Sequence, residues 1–188
     1  MPADGGIREL RFVHVGAVTP ALLADVVARV SRSVAVPCRI VDPGAPLRLA
    51  DLSGRGQIDA DKLLAQVEAR ADMQGAVLAA LCAHDMGNPV FTHFFGRARL
   101  GGSGLVVSLA RLTPAYYGLP QDEALLARRA ALEVVHELGH VAGLRHCRDG
   151  ACLMSLARNV EAIDQRGASF CAVCAAAMPR EMQRGARP

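Results

Sequence analysis

Residues His136 to Cys147 read H-E-L-G-H-V-A-G-L-R-H-C, and this run constrains the rest of the chain. An α-helix advances about 100° per residue, so His136 and His140 fall within roughly 40° of one another, one turn apart. Two imidazoles so placed grip one ion. Glu137 projects beside that ion rather than at it, which suits a general base acting on water. Gly143 lets the backbone leave the helix through a left-handed conformation, after which the chain can turn back and offer His146 as a third nitrogen. Three nitrogens and one open position are the donor set of a catalytic zinc ion.

A second set of soft donors follows at once. Cys147 and Cys152 flank a turn at Asp149-Gly150, and C-A-V-C places Cys171 and Cys174 two residues apart. Four thiolates have the number and spacing zinc needs, and a closed sulfur sphere leaves no position for water, so this second ion is expected to be structural. His146 and Cys147 are consecutive, so one peptide bond ties the two proposed sites together.

With Met154 downstream, the H-E-x-x-H-x-x-G-x-x-H pattern resembles the metzincin clan of zinc peptidases, in which a Met-turn lies beneath the metal ligands. The cysteine directly after the third histidine, the second cysteine two positions before that methionine and the late C-x-x-C resemble the archaemetzincin family within the clan. F-F-G-R-A at Phe94 to Ala98 and V-V-S-L-A-R-L at Val106 to Leu112 resemble that family's segments ahead of the zinc helix. The resemblance implies an α+β, zincin-like fold: a twisted mixed sheet of about five strands with backing helices, an active-site helix and a small zinc-stabilised C-terminal subdomain. It also implies peptide or protein substrates, cut by Glu137-assisted attack of water at the metal. A non-catalytic, zinc-stabilised peptide-binding module is the alternative. Leu105 to Ala110 is the expected edge strand on which an extended peptide would lie. Some metzincins place a tyrosine near the Met-turn, and none follows Met154 here; Tyr116 or Tyr117 could assist, although packing or a rim position is the plainer expectation for both.

At 188 residues and 52% hydrophobic content the chain is long enough for one cored domain and short for two. The expected division is a sheet and active-site helix over 1–143 and a C-terminal part over 144–188. The formal charge of +3 comes from scattered arginines with a single lysine, Lys62, which argues against nucleic acid as partner. The amino terminus has no apolar core of a secretory signal, and no apolar run reaches the ~18 residues of a membrane span. The expectation is a cytoplasmic protein whose cysteines are not three disulfides.

Hydrophobic periodicity supplies the remaining layout. Arg11 to Val15, Val36 to Val41 and Val77 to Cys82 read as strands; Cys38 and Cys82 read as small buried side chains and His14 as an ordinary strand residue. One helix begins at Thr19-Pro20, with Leu22, Leu23, Val26, Val27, Val30 and Val34 at helical spacing, and another at Asp59 or Asp61. This β-α-β-α-β order predicts parallel central strands. Pro43 to Gly56 reads as a surface loop and His84 to Pro89 as a polar one. Val90 to Arg97 and Gly104 to Leu109 are expected to pair as a hairpin, and a long helix to run from Gln121 to Gly143. Asp164 and Arg166 receive no role, and the tail after Met178 reads as frayed.

Overall fold

The computed structural model describes residues 6–42, 44–52, 54–71, 75–179 and 182. Strand β1 (Glu9–Val15) sends Leu10 and Phe12 to one face and Val13 and Val15 to the other, so both faces of the strand must be covered. The same alternation runs through β5 (Ala76–Cys82), where Val77, Ala79 and Leu81 oppose Leu78, Ala80 and Cys82. A strand buried on both faces belongs in the middle of a sheet with helices on either side. Helix α1 (Pro20–Ser33), capped by the Thr19 hydroxyl accepting from the Leu22 N–H, lays Leu22, Leu23, Val26 and Val30 on the first face. Helix α2 (Ala60–Glu68), capped by Asp59, lays Leu63, Leu64 and Val67 on the second.

Strands β2 (Cys38–Ile40), β7 (Gly96–Ala98) and β8 (Gly104–Ser108) complete a five-stranded sheet of order β2-β1-β5-β8-β7. All neighbours pair parallel except β7 with β8, which is antiparallel. The expected mixed sheet and hairpin therefore form, with one correction that matters for the site. The segment from Leu105 is not the edge: β8 lies between β5 and β7, every residue from Gly104 to Ser108 is buried, and β7 is the edge strand. An apolar G-L-V-V-S run suits an interior strand, whereas G-R-A with its arginine suits an edge.

The strand expected over Val90 to Arg97 is also shorter than its composition suggested. The Asn88 side-chain oxygen accepts from the N–H groups of Val90 and Phe91 at 3.0 and 2.7 Å, and Arg55 donates to the carbonyls of Asn88, Phe91 and Thr92. Side chains thus take backbone groups that a ladder would have used. The two expected loops each contribute a strand to a small second sheet, β3 (Asp51–Leu52) and β6 (Met86–Gly87), which flank β4 (Gln57–Asp59) in the order β3-β4-β6. Asp85 is held by Arg111 through two contacts of 2.8 Å, which makes His84-Asp85 part of a structural turn. Cys82 is fully buried as expected, but Cys38 is only half-buried.

Helix α3 (Glu123–Val141) packs under the sheet beside α1, and among the described residues the chain after it carries only two short α-helices, α4 (Val160–Gln165) and α5 (Ala172–Ala177). Two arginine–carboxylate pairs fasten this C-terminal stretch to α3. Arg129 reaches Asp164 at 2.9 and 2.6 Å, and Arg166 pairs with Glu133. The Glu133–Arg166 pair is buried, the kind of contact whose rupture costs about 3–5 kcal/mol because a charge is left stranded. Most of the tail after Met178 lies outside the described residues, yet Met182 is buried in the main core. No helix among the described residues is long and apolar enough to cross a membrane.

Candidate metal centre

Asp122 starts α3 by accepting the Leu125 N–H at 2.8 Å, and the helix then carries Glu133, His136, Glu137 and His140 along one side. It ends at Ala142, and Gly143 adopts φ 93°, a region costly for any residue with a Cβ. That reversal lets the Leu144 N–H return to the Gly139 carbonyl and points His146 back at the helix. The three histidine donor atoms then lie within 4.8 Å of one another.

Their proton positions follow from their partners. His136 Nδ1 sits 2.8 Å from the Leu153 carbonyl and His140 Nδ1 2.8 Å from that of Leu144; a carbonyl only accepts, so each Nδ1 carries the hydrogen. Each Nε2 is left with a lone pair. His140 Nε2 and His146 Nε2 are 3.2 Å apart, close to the ~3.3 Å that two nitrogens span across a tetrahedral zinc. Burial pushes the His136 imidazole down to about 3, and His140 and His146 are lowered chiefly by the same cause, so all three rings are neutral donors at neutral pH. A cation placed between these nitrogens would be met by ring lone pairs, whereas without one His146 Nε2–H can donate to His140 Nε2.

Glu137 is buried against the edge strand. Burial, and then the neighbouring Glu133, raise its carboxyl well above the ordinary range, while the Ala98 backbone N–H works in the opposite sense. Gly96 is what makes room: a Cβ there would stand 2.6 Å from both Cγ and Oε1 of Glu137. The histidines and Glu137 line a cavity of about 870 Å³. Its lining comes from Phe94, Phe95 and β7, from α3, and from Arg145, Leu156, Ala157 and Arg158 in the chain after α3. Tyr116 and Tyr117 are exposed and neither lines this cavity; the Tyr117 hydroxyl donates to the Arg111 carbonyl at 3.0 Å. Glu133 and Arg166, by contrast, do line it. The spacing of Glu133 from His136 and Glu137 was the signal that it shares their face; nothing near Arg166 in the sequence announced its partner.

With that geometry in hand, comparison with known proteins is decisive: the model of peptidase family M54 matches residues 55–180. The chain belongs to this family. Among curated relatives, the archaemetzincin of Methanocaldococcus jannaschii is 42% identical over 80 residues, which is 43% of this chain and 45% of that protein. The archaemetzincin of Methanopyrus kandleri is 36% identical over 131 residues, covering 70% of this chain and 71% of that one. The matched part thus spans less than half of the first relative's length. Among solved structures, one described as a zinc-dependent peptidase from Methanocorpusculum labreanum superposes with a TM-score of 0.81 at 26% identity, covering 91% of this chain and 100% of that chain.

In this M54 member the four late cysteines also meet. Cys147, Cys152, Cys171 and Cys174 place their sulfurs within 4.8 Å of one another, and all are free thiols. Cys147 Sγ and Cys171 Sγ are 3.8 Å apart, far beyond a disulfide's ~2.05 Å and equal to the ~3.8 Å separation expected of two sulfurs around zinc. Cys152 Sγ accepts from the Met154 and Cys171 N–H groups at 3.4 and 3.3 Å. The Cys174 backbone N–H leads in pulling the Cys171 thiol down to about 7, while burial and the other thiols push Cys174 up. Four sulfurs this close cannot all ionise without a cation to offset them, so the donor set fits a metal. Met154 links the two groups of donors. Its carbonyl accepts the Cys147 N–H at 2.8 Å, and its sulfur lies where a Cβ on Gly139 would come within 2.4 Å. The methionine therefore packs directly against the histidine-bearing turn of α3.

Proposed function

We propose that this chain is a zinc-dependent peptidase holding two zinc ions, a catalytic one on His136, His140 and His146 and a structural one on Cys147, Cys152, Cys171 and Cys174. The observation that carries the reading is the convergence of three neutral imidazoles beside a buried Glu137 in one cavity. Zinc, when bound, supplies a Lewis acid that makes water easier to deprotonate and a carbonyl easier to attack. The chain's own residues supply the proton transfers. Glu137 accepts the proton of the attacking water, and its raised proton affinity suits it to hold that proton and pass it to the departing amine. The free edge of β7 offers backbone groups to an extended peptide, which orients the scissile bond over α3. Free thiols throughout suit a reducing compartment, the cytoplasm in this reading.

Metal content per chain and a peptide-pool digest test the proposal together. Two zinc ions and cleavage abolished by chelation are expected; tight peptide binding without products would instead support a binding module. Gly96 gives a sharper handle. Gly96→Ala displaces the flexible Glu137 side chain rather than backbone, so kcat/KM should fall about 10- to 100-fold while Tm and metal content stay near those of the parent. Full activity in that variant would mean that the placement of Glu137 against β7 is not used.

A further inference from the structure

Four arginines line the cavity: Arg97, Arg145, Arg158 and Arg166. Two are already committed to carboxylates of this chain, since Arg166 pairs with buried Glu133 and Arg97 reaches Asp61 at 2.9 Å. Arg145 and Arg158 are exposed, and among the described residues neither has a carboxylate partner. Both line the cavity from the chain after α3, Arg145 directly before His146 and Arg158 four residues beyond Met154. The remaining acid in the cavity, Glu137, is buried against Gly96 and Ala98 and is not available to neutralise them. The cleft therefore carries positive charge from two exposed side chains that no carboxylate of the described residues offsets.

We propose that the cleft selects peptides bearing a carboxylate close to the bond to be cut, and that Arg145 and Arg158 hold that carboxylate. This rests on the peptidase reading and adds the substrate class. A peptide lying along β7 presents alternate side chains within the same cavity, where two planar guanidinium groups can each give a carboxylate paired N–H donors. Charge facing an open mouth also steers the approach of an acidic ligand, an effect that falls with ionic strength.

The test uses fluorescein-labelled peptide pools that differ only in Glu or Gln at each position in turn, each made as free acid and as C-terminal amide. Binding is read by anisotropy on the zinc-loaded Glu137→Gln protein, and cleavage on the parent. The Glu pools should bind about tenfold more tightly and be cleaved about tenfold faster, with the binding ratio falling below about threefold in 0.5 M salt. A Glu-over-Gln preference assigns the carboxylate to a side chain; tighter binding of free acids than of amides, alike for Glu and Gln, assigns it to the peptide's C-terminus. Arg145→Gln combined with Arg158→Gln should bring the Glu-to-Gln ratio to near one without changing metal content. Equal binding of every pool by the unsubstituted arginine wall overturns the inference. A clear binding preference with no cleavage of any pool counts against the peptidase reading alone.

Discussion

Glu137→Gln is expected to keep the metal content and the Tm of the parent chain and to lose about 10²- to 10⁴-fold in kcat/KM, the range that a positioned general base contributes. The substitution preserves volume at a buried site and retains an oxygen for the Ala98 N–H. It also removes a carboxylate that lies near Glu133 in a region already unfavourable to charge, so folding has no reason to suffer. What the amide cannot do is take a proton from water and return it to an amine. Measuring zinc per chain, thermal unfolding and peptide hydrolysis on one preparation isolates the chemistry from the fold. Turnover equal to the parent would remove Glu137 from the mechanism while leaving the metal site standing.

The second large effect is expected from Cys152→Ser. Cys152 is almost wholly buried, and its sulfur accepts two backbone N–H groups, from Met154 and Cys171. A hydroxyl is shorter and is a poor partner for zinc beside three thiolates. The chain from Cys147 to Met178 contains only two six-residue helices, so the proposed structural zinc would supply much of its folding free energy; such zinc in small domains contributes roughly 10–16 kcal/mol. One zinc ion per chain should be lost, and amide exchange protection should fall across this segment while the sheet keeps its own. Hydrolysis should fall with it, because His146 is bonded to Cys147 and Met154 supports the turn of α3 at Gly139. Unchanged metal content and exchange protection would show that the sulfur cluster does not brace the site.

The contrast between these two variants reflects how differently the parts of the site are encoded. Glu137, the three histidines and Gly143 lie within one short run, and their geometry is local: a helical turn, a left-handed glycine and a return. The four cysteines were legible by number and spacing, and they do come together. The strands were legible where both faces are buried, as in β1 and β5, because long apolar runs have few other uses. Pattern failed at Val90 to Thr92, where Asn88, Arg55 and Gln57 claim the backbone groups and keep the segment out of the sheet.

The sequence by itself determined which imidazoles and thiols are grouped as possible metal donors and that parallel strands alternate with helices, because each of these depends on side-chain chemistry or on spacing within an element. Only the tertiary structure decided that β7 rather than β8 is the free edge, that Gly96 exists to admit Glu137, and that Arg166 reaches across to Glu133. Those facts are pairings between segments far apart in the chain. No local pattern records them, since they arise when the sheet, the helix beneath it and the C-terminal stretch are packed against one another.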